Sequence, residues 1–388
     1  MERTAQNMKA IINGKIILKD RVLAGKALLF DHKTQGILDA ADIPTGTEII
    51  DAAGRFIAPG LIDIHIHGYL GEDVSDANPE GIQKMAEGLV KNGVTGFLPT
   101  TVTIPREELL QVADTVRGLK EKSLAWNGTA ILGLHTEGPY VNPKKKGAQN
   151  EAFIQRPDAA LIIKNSDIIR LVTLAPEMDE GFHAVREIAA NSDVVVSMGH
   201  TDANYHQACD SVLAGVRHAT HLFNAMTPLA HRDPGVVGAA FNTPVSVELI
   251  CDKFHIHPAM FDIVYKLKKD KLVLITDCLR SGGLADGEYT LGGQKVILKG
   301  IECRLEDGTI AGSVLTLNKA VLNFWQNADV SVWEAVNAAS LSPAAVLGLQ
   351  GQKGSLEVGK DADIIIADEE FNISTTVIGG KIKFQNQK

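Results

Sequence analysis

The sequence is short of the features that define several large protein classes. Its 388 residues include only four cysteines, Cys209, Cys251, Cys278 and Cys303, scattered with no CxxC pair. That spacing excludes a disulfide-stapled secreted scaffold and leaves the thiols reduced. No run of about 18 apolar residues occurs, so no membrane-spanning helix is predicted. The opening MERTAQNMKA has a glutamate at position 2 and lacks the apolar stretch of a signal peptide, so a cytoplasmic location is expected. Long basic blocks are also missing from a chain whose formal net charge is −9. Phosphate backbones and anionic membranes reward clustered Lys and Arg, so neither is an expected partner, and a small soluble substrate is. There is no internal repeat, no low-complexity tract and no Walker-type loop. The first βα turn, HIHGYLGED, is not GxGxxG, which argues against nucleotide binding.

What is present is ordinary globular composition: 45% hydrophobic and 22% charged residues, with 36 glycines and 14 prolines. At roughly 100–200 residues per domain the length allows two or three domains, or one barrel of about 250 residues with a remainder. Both ends read as short β segments. KAIINGKIIL, KALLFDH and TEIIDAAGRFIAP lie near the start, and KGSLEVGKDADIIIADEE and ISTTVIGGKIKFQ near the end, separated by Gly, Asp and Pro turn signals. The expectation is one small β-sandwich domain built jointly from residues 1–58 and 351–388.

Between them, short apolar runs alternate with amphipathic stretches, the βα signature of a parallel sheet. Eight runs stand out: LIDIHI (61–66), TGFLPT (95–100), AILGLHT (130–136), IRLVTLA (169–175), VVVSMGH (194–200), VRHATH (216–221), VELICD (247–252) and LVLITD (272–277). Their starts are 22 to 39 residues apart, room for one crossover helix each, such as EGIQKMAEGLVKNG (80–93) and REELLQVADTVRGLK (106–120). Residues 59–350 are therefore expected to form an α/β fold, a TIM-like (β/α)8 barrel, with an open doubly wound sheet as the alternative. The long connection after the third run, residues 140–168, is a candidate functional loop.

The twelve histidines gather near the ends of these runs. In Asp63-Ile64-His65-Ile66-His67, strand alternation puts Asp63, His65 and His67 on one face. Two imidazoles so placed can grip one metal ion or stand exposed on an edge strand, and the position at a strand end after APGL favours the metal. Glu137 lies just beyond the third run with His135 on the same face. Glu137 is a ligand or a solvated cap, and His135 a ligand or a packed neighbour. His200 and His221 each end a run, and the last run ends in Asp277, either a helix-side cap or a general base facing a bound water. Nitrogen and oxygen donors drawn from several strands suit zinc or an iron-type divalent ion.

The segments APGLIDIHIHG and GSLEVGKDADIIIAD, with the strand-end histidines and the final Asp, resemble the amidohydrolase superfamily. HTEGPYVNPKKKGAQN, MGHTDA, HATHLFNAMTPLAHRDPG, CDKFHIHP and ITDCL followed by IAGSVLTL narrow the resemblance to the N-acetylglucosamine-6-phosphate deacetylase family. The resemblance implies a metal-dependent hydrolase barrel that removes the acetyl group of an amino-sugar phosphate, with one or two divalent ions, zinc or iron, per subunit. Glu137, His200 and His221 match the principal metal ligands. His65 and His67 match a second-metal pair bridged by Glu137, where other superfamily members use a carboxylated Lys. Asp277 matches the catalytic acid/base, and Ala148, Asn224, Ala225, Arg232, His255 and Ile310-Ala311-Gly312 match substrate contacts. Some of these contacts come from a neighbouring subunit in the family, which implies a homodimer or higher homo-oligomer. Gln149 stands where some relatives carry His, leaving open which group polarises the amide carbonyl. A cyclic-amide hydrolase, usually built on the bridging Lys, and a non-catalytic scaffold on the same fold are the alternatives.

Overall fold

The computed structural model describes residues 8–386. Residues 1–7, on which most of the signal-peptide reading and the start of the expected N-terminal sheet segment rest, lie outside the described residues.

The eight apolar runs form eight parallel strands: β1 (Leu61–Ile66), β2 (Val94–Thr101), β3 (Leu134–Glu137, preceded by the short piece Ala130–Ile131), β4 (Ile169–Leu174), β5 (Val195–Met198), β6 (His218–Ala219), β7 (Ser246–Ile250) and β8 (Leu272–Ile275). Ladders join them in chain order from β1 to β8. Both faces are covered, which is why the strands read as continuous Val, Ile and Leu instead of alternating. The crossover helices show the opposite pattern. Arg106–Ser123 buries Leu109, Val112, Ala113, Val116 and Leu119 on one stripe, with Glu107 and Glu108 in its first turn and Lys120 and Lys122 in its last, matched to the helix dipole.

The ring closes between β8 and β1 through contacts placed just past the ladders. Ile66 bridges to Cys278 in parallel, and the Asp277 N–H donates to the His65 carbonyl at 2.9 Å. Lower in the seam the fully buried Asp63 accepts the Thr276 hydroxyl at 2.6 Å. Burial pushes the Asp63 carboxyl up to about 7, against the pull of the hydrogen bonds from Thr276 and the His65 N–H.

Strands from both ends of the chain build two further sheets. One, in the order Thr34–Leu38, Ala27–Phe30, Lys9–Ile12, Glu48–Asp51, faces a six-stranded one in the order Lys381–Gln385, Ile373–Ile378, Ile364–Ala367, Phe56–Pro59, Lys15–Ile17, Val22–Ala24. Ile11, Leu28, Phe30 and Ile50 from the first pack with Ile16, Ile57, Ile364, Ile366 and Val377 from the second in one buried cluster, the core of a sandwich. The two termini meet where Phe56–Pro59 pairs antiparallel with Ile364–Ala367.

One element within 59–350 is absent from the sequence reading. After β8 the chain forms a four-stranded antiparallel sheet, Gly287–Leu291, Gln294–Lys299, Glu302–Leu305 and Ile310–Gly312, that is no part of the barrel wall. Its hairpin signal is present in the sequence: Gly292-Gly293, both at positive φ (53° and 79°), forms the two-residue turn that joins the first two strands.

The joining of the termini is open to test at Gly380, which sits at φ 77° with the position of a Cβ only 1.8 Å from the Asp31 carbonyl oxygen. Gly380→Ala adds left-handed strain and a backbone clash, and should destabilise the protein by roughly 2–4 kcal/mol. The check is the urea midpoint followed by tryptophan fluorescence, and an unchanged midpoint would contradict this packing.

Candidate active site

The strand-end residues singled out in the sequence converge at the C-terminal rim of the barrel, from β1, β3, β5, β6 and β8. All are buried. Glu137 stands at the centre. Its Oε1 lies 2.9 Å from His221 Nε2, 3.1 Å from His200 Nε2 and 3.4 Å from His65 Nε2, and its Oε2 lies 3.3 Å from His67 Nε2. Asp277 Oδ1 is 3.2 Å from His67 Nε2 and 3.6 Å from His65 Nε2. The donors fall into two groups, Glu137 with His200 and His221, and His65 with His67 and Asp277.

The chemistry of this donor set fits a cation. His67 Nδ1 faces the Thr100 carbonyl at 3.2 Å, His200 Nδ1 the Lys145 carbonyl at 2.9 Å, and His65 Nδ1 the Glu248 carboxylate at 2.9 Å. Each of these partners only accepts, so each Nδ1 carries a hydrogen and each ring, when neutral, presents a bare lone pair at Nε2. The lone pairs of His65 and His67 point at one another at 3.2 Å, and that of His200 faces His221 Nε2 at 3.1 Å. Lone pairs facing each other at these distances call for positive charge between them. The electrostatics agree. Burial works against charging His65, but Glu248, Glu137 and Asp277 outweigh it and lift that imidazole to about 9. His67 is raised as well, its burial overcome by hydrogen bonds to Asp277 and Glu137. Conversely, His200 and His65 hold the buried Glu137 well below the usual carboxylate range, and His65 with His67 lowers Asp277 despite its burial.

The local backbone that delivers these groups is unusual. His200, His221 and Asp277 adopt left-handed conformations, with φ of 47°, 26° and 50°. Such conformations cost non-glycine residues about 1–3 kcal/mol each and persist where the surroundings over-determine them. For Asp277 those surroundings are the seam: its N–H donates to His65 and its carbonyl accepts the Ser313 N–H at 2.9 Å.

Three neighbours support the cluster. His135, undecided from sequence, is engaged at both nitrogens, by the Ile64 carbonyl at 3.0 Å and the Thr173 hydroxyl at 2.8 Å, and burial drives it down to about 3. It is a neutral packed neighbour. Gln149 donates from Nε2 to Glu137 Oε2 and accepts the Thr103 N–H at Oε1, both at 2.6 Å. Glu248, which the sequence reading passed over, carries a fully buried carboxylate on β7 and bonds His65, the His221 N–H and His218. Its signal was available as a lone charge in the middle of the apolar run VELICD.

Above the cluster lies a cavity of about 250 Å³. It is lined by Ala148, Asn224, Ala225, His255, Ile310, Ala311 and Gly312, all expected from sequence, and also by Val102, Leu291 and Thr309. The hairpin sheet after β8 thus forms one wall, tied to the loop after β3 by Gln294 Nε2 donating to the Ala148 carbonyl at 2.6 Å. His255 is oriented by Asp252, whose carboxylate meets His255 Nδ1 at 2.6 Å. Arg232 is not among the lining residues and lies on an exposed stretch of the loop after β6.

Residues 56–383 match the model of the amidohydrolase family. The N-acetylglucosamine-6-phosphate deacetylase of Bacillus subtilis (strain 168) is 40% identical over 350 residues, 88% of either chain. The crystal structure of N-acetylglucosamine-6-phosphate deacetylase from Pasteurella multocida superposes with a TM-score of 0.93 at 30% identity, covering 98% of this chain and 100% of that one. A mutant of the Mycobacterium smegmatis deacetylase, solved in complex with N-acetyl-D-glucosamine-6-phosphate, superposes at 0.90 with 26% identity, covering 98% and 100%. By these matches the chain belongs to the amidohydrolase family of hydrolases, among its N-acetylglucosamine-6-phosphate deacetylases.

Proposed function

We propose that the protein hydrolyses the acetamide of N-acetyl-D-glucosamine 6-phosphate to D-glucosamine 6-phosphate and acetate, a step of amino-sugar catabolism. The observation that carries the reading is the ionised Asp277, 3.2 Å from His67 and at the floor of a cavity whose other floor residues are metal donors. Glu137, His200 and His221 would hold a principal divalent ion, zinc or iron, with His65 and His67 holding a second one that shares Glu137. Bound there, a divalent ion lowers the pKa of a water from about 15.7 towards 7 and polarises a carbonyl oxygen.

The chain's own residues do the rest. Asp277 takes a proton from the attacking water as the new C–O bond forms, and returns it to the amide nitrogen as the C–N bond breaks. One proton of the water therefore passes through one carboxylate to the nitrogen while the other stays with the new carboxyl group, and the resulting acid and amine ionise in solution to acetate and ammonium. Gln149, held between Glu137 and the Thr103 N–H, fixes the central carboxylate and lines the cavity beside it. His255, with Nδ1 committed to Asp252, leaves Nε2 free for the sugar phosphate, and Asn224 and the Ala225 backbone stand beside it. Arg232, exposed outside its own cavity, is assigned to the cavity of a neighbouring protomer in a homodimer, where its guanidinium would pair with the 6-phosphate. We also propose the division into a terminal sandwich (1–58 and 351–388) and a catalytic barrel (59–350), and a cytoplasmic location. Among the described residues no helix is long and apolar enough to cross a membrane.

The direct test is acetate release from N-acetylglucosamine 6-phosphate by metal-loaded protein; its absence would overturn the reading. Asp277→Asn should lower kcat by about 10²–10⁴-fold with bound metal unchanged, since only the proton carrier is lost; near-normal turnover would remove Asp277 from that role. Glu137→Ala should lose most of its bound metal by elemental analysis. Arg232→Ala should lower kcat/KM roughly 10- to 100-fold on the 6-phosphate substrate and leave the slow reaction of unphosphorylated N-acetylglucosamine unchanged, and an equal loss on both would refute phosphate binding.

A further inference from the structure

Glu248 is a buried charge that the proposed reaction does not use. It lies in the middle of β7 between Val247 and Leu249, with no exposed surface. A carboxylate in such a place is costly unless fully partnered, and this one is. Oε2 is shared by His65 Nδ1 and the His221 N–H, both at 2.9 Å, while Oε1 meets His218 Nε2 at 3.1 Å. His218 in turn meets the Ser246 hydroxyl at 2.6 Å. One carboxylate therefore touches the ring of a residue in one donor group and the main chain of a residue in the other.

We infer that Glu248 is a positioning residue that locks His65 with its hydrogen on Nδ1, and thereby creates the second cation position, that of His65 and His67. The inference rests on the metal-dependent reading above. Backbone carbonyls fix His67 and His200, which no side-chain substitution removes, and His221 Nδ1 has no hydrogen-bond partner. His65 alone among the four owes its tautomer to another side chain. Without Glu248 the His65 hydrogen is free to move to Nε2, where His67 Nε2 waits at 3.2 Å to accept it. The two rings would then bond to each other, consuming the lone pairs that a cation needs. Glutamine preserves the lock. Its carbonyl oxygen can accept from His65 and the His221 N–H, and its amide can donate to His218 Nε2 once His218 gives its own hydrogen to Ser246.

The test loads wild type, Glu248→Gln, Glu248→Ala and Glu248→Met with excess zinc, dialyses them, and measures metal per folded chain together with the zinc affinity of each site. Methionine keeps the length without an acceptor and serves if the alanine variant does not fold. Wild type and Glu248→Gln should hold about two ions. The acceptor-less variants should hold about one, with affinity for the second ion reduced by roughly 10- to 100-fold. A folded acceptor-less variant that keeps both ions at wild-type affinity, or that loses both equally, would overturn the inference. So would a glutamine variant as depleted as alanine, since charge and not acceptor geometry would then be responsible. Wild type holding a single ion would overturn it while leaving the hydrolase reading standing, and wild type holding none would overturn both.

Discussion

The hydrogen bond from the Asp277 N–H to the His65 carbonyl ties the closure of the barrel to the assembly of its chemistry. β8 and β1 share no regular ladder. Their seam is held by this bond, by the bridge of Ile66 to Cys278 and by Asp63 with the Thr276 hydroxyl. The same few residues carry two strand-end histidines on one side and the carboxylate on the other. Any slip in the seam would move Asp277 relative to His65 and His67 by the same amount. The left-handed backbone at Asp277 is the local cost of turning a strand end so that main chain and side chain both face the seam.

Around that seam the protein arranges hydrogens as carefully as heavy atoms. At His65, His67 and His200 the ligand-side nitrogen is bare because the other ring nitrogen is spoken for, by the Thr100 and Lys145 carbonyls or by Glu248. The layer beneath is neutral where neutrality is needed: His135, packed under His65 and driven down to about 3, adds no positive charge that would repel a cation. Buried carboxylates and imidazoles of this kind are poor sources of stability, since pairing roughly offsets desolvation. Stability comes instead from the continuous apolar strands and the stripes of the crossover helices, which leaves the rim free to be shaped by chemistry.

How much of this could be read from residues alone follows from which signals are local. The eight strands were legible because a strand buried on both faces has to be an apolar run, and β1 to β8 fall on the eight runs. His65 and His67 were legible by alternation on a six-residue strand. Alternation also grouped His135 with Glu137, and both do point inward, but it carries no information on depth, and two residues along a strand separate the rim from the packed layer. At β6 the rule fails for another reason: the strand spans only His218–Ala219, and His221 reaches the cluster through a left-handed turn. Glu248 was hidden inside an apolar run whose hydrophobicity drew attention away from its one charge. The hairpin sheet after β8 was hidden because the βα rhythm was extended over residues with alternating polarity and glycine turns. Arg232 shows a different limit, since resemblance assigns it to a substrate and the single chain leaves it exposed outside its own cavity.

The acidic balance of the chain, which counts against polyanions as partners, has a particular meaning at the site. Three carboxylates, those of Glu137, Asp277 and Glu248, are buried among rings that are neutral whenever they offer their Nε2 lone pairs. Such a cluster draws in positive charge, and it has two ways to obtain it. Protons supply it in the metal-free protein, as the imidazole of His65, raised to about 9, indicates. Divalent ions supply it on the proposed reading. Both occupy the same lone pairs, so metal binding releases protons, and affinity rises with pH through the range in which His65 titrates. The carboxylates that strengthen the grip on a cation also strengthen the grip on its competitor. Locking the hydrogens of His65, His67 and His200 on Nδ1 does not remove that competition, but it does ensure that those three Nε2 atoms are available to whichever positive charge arrives.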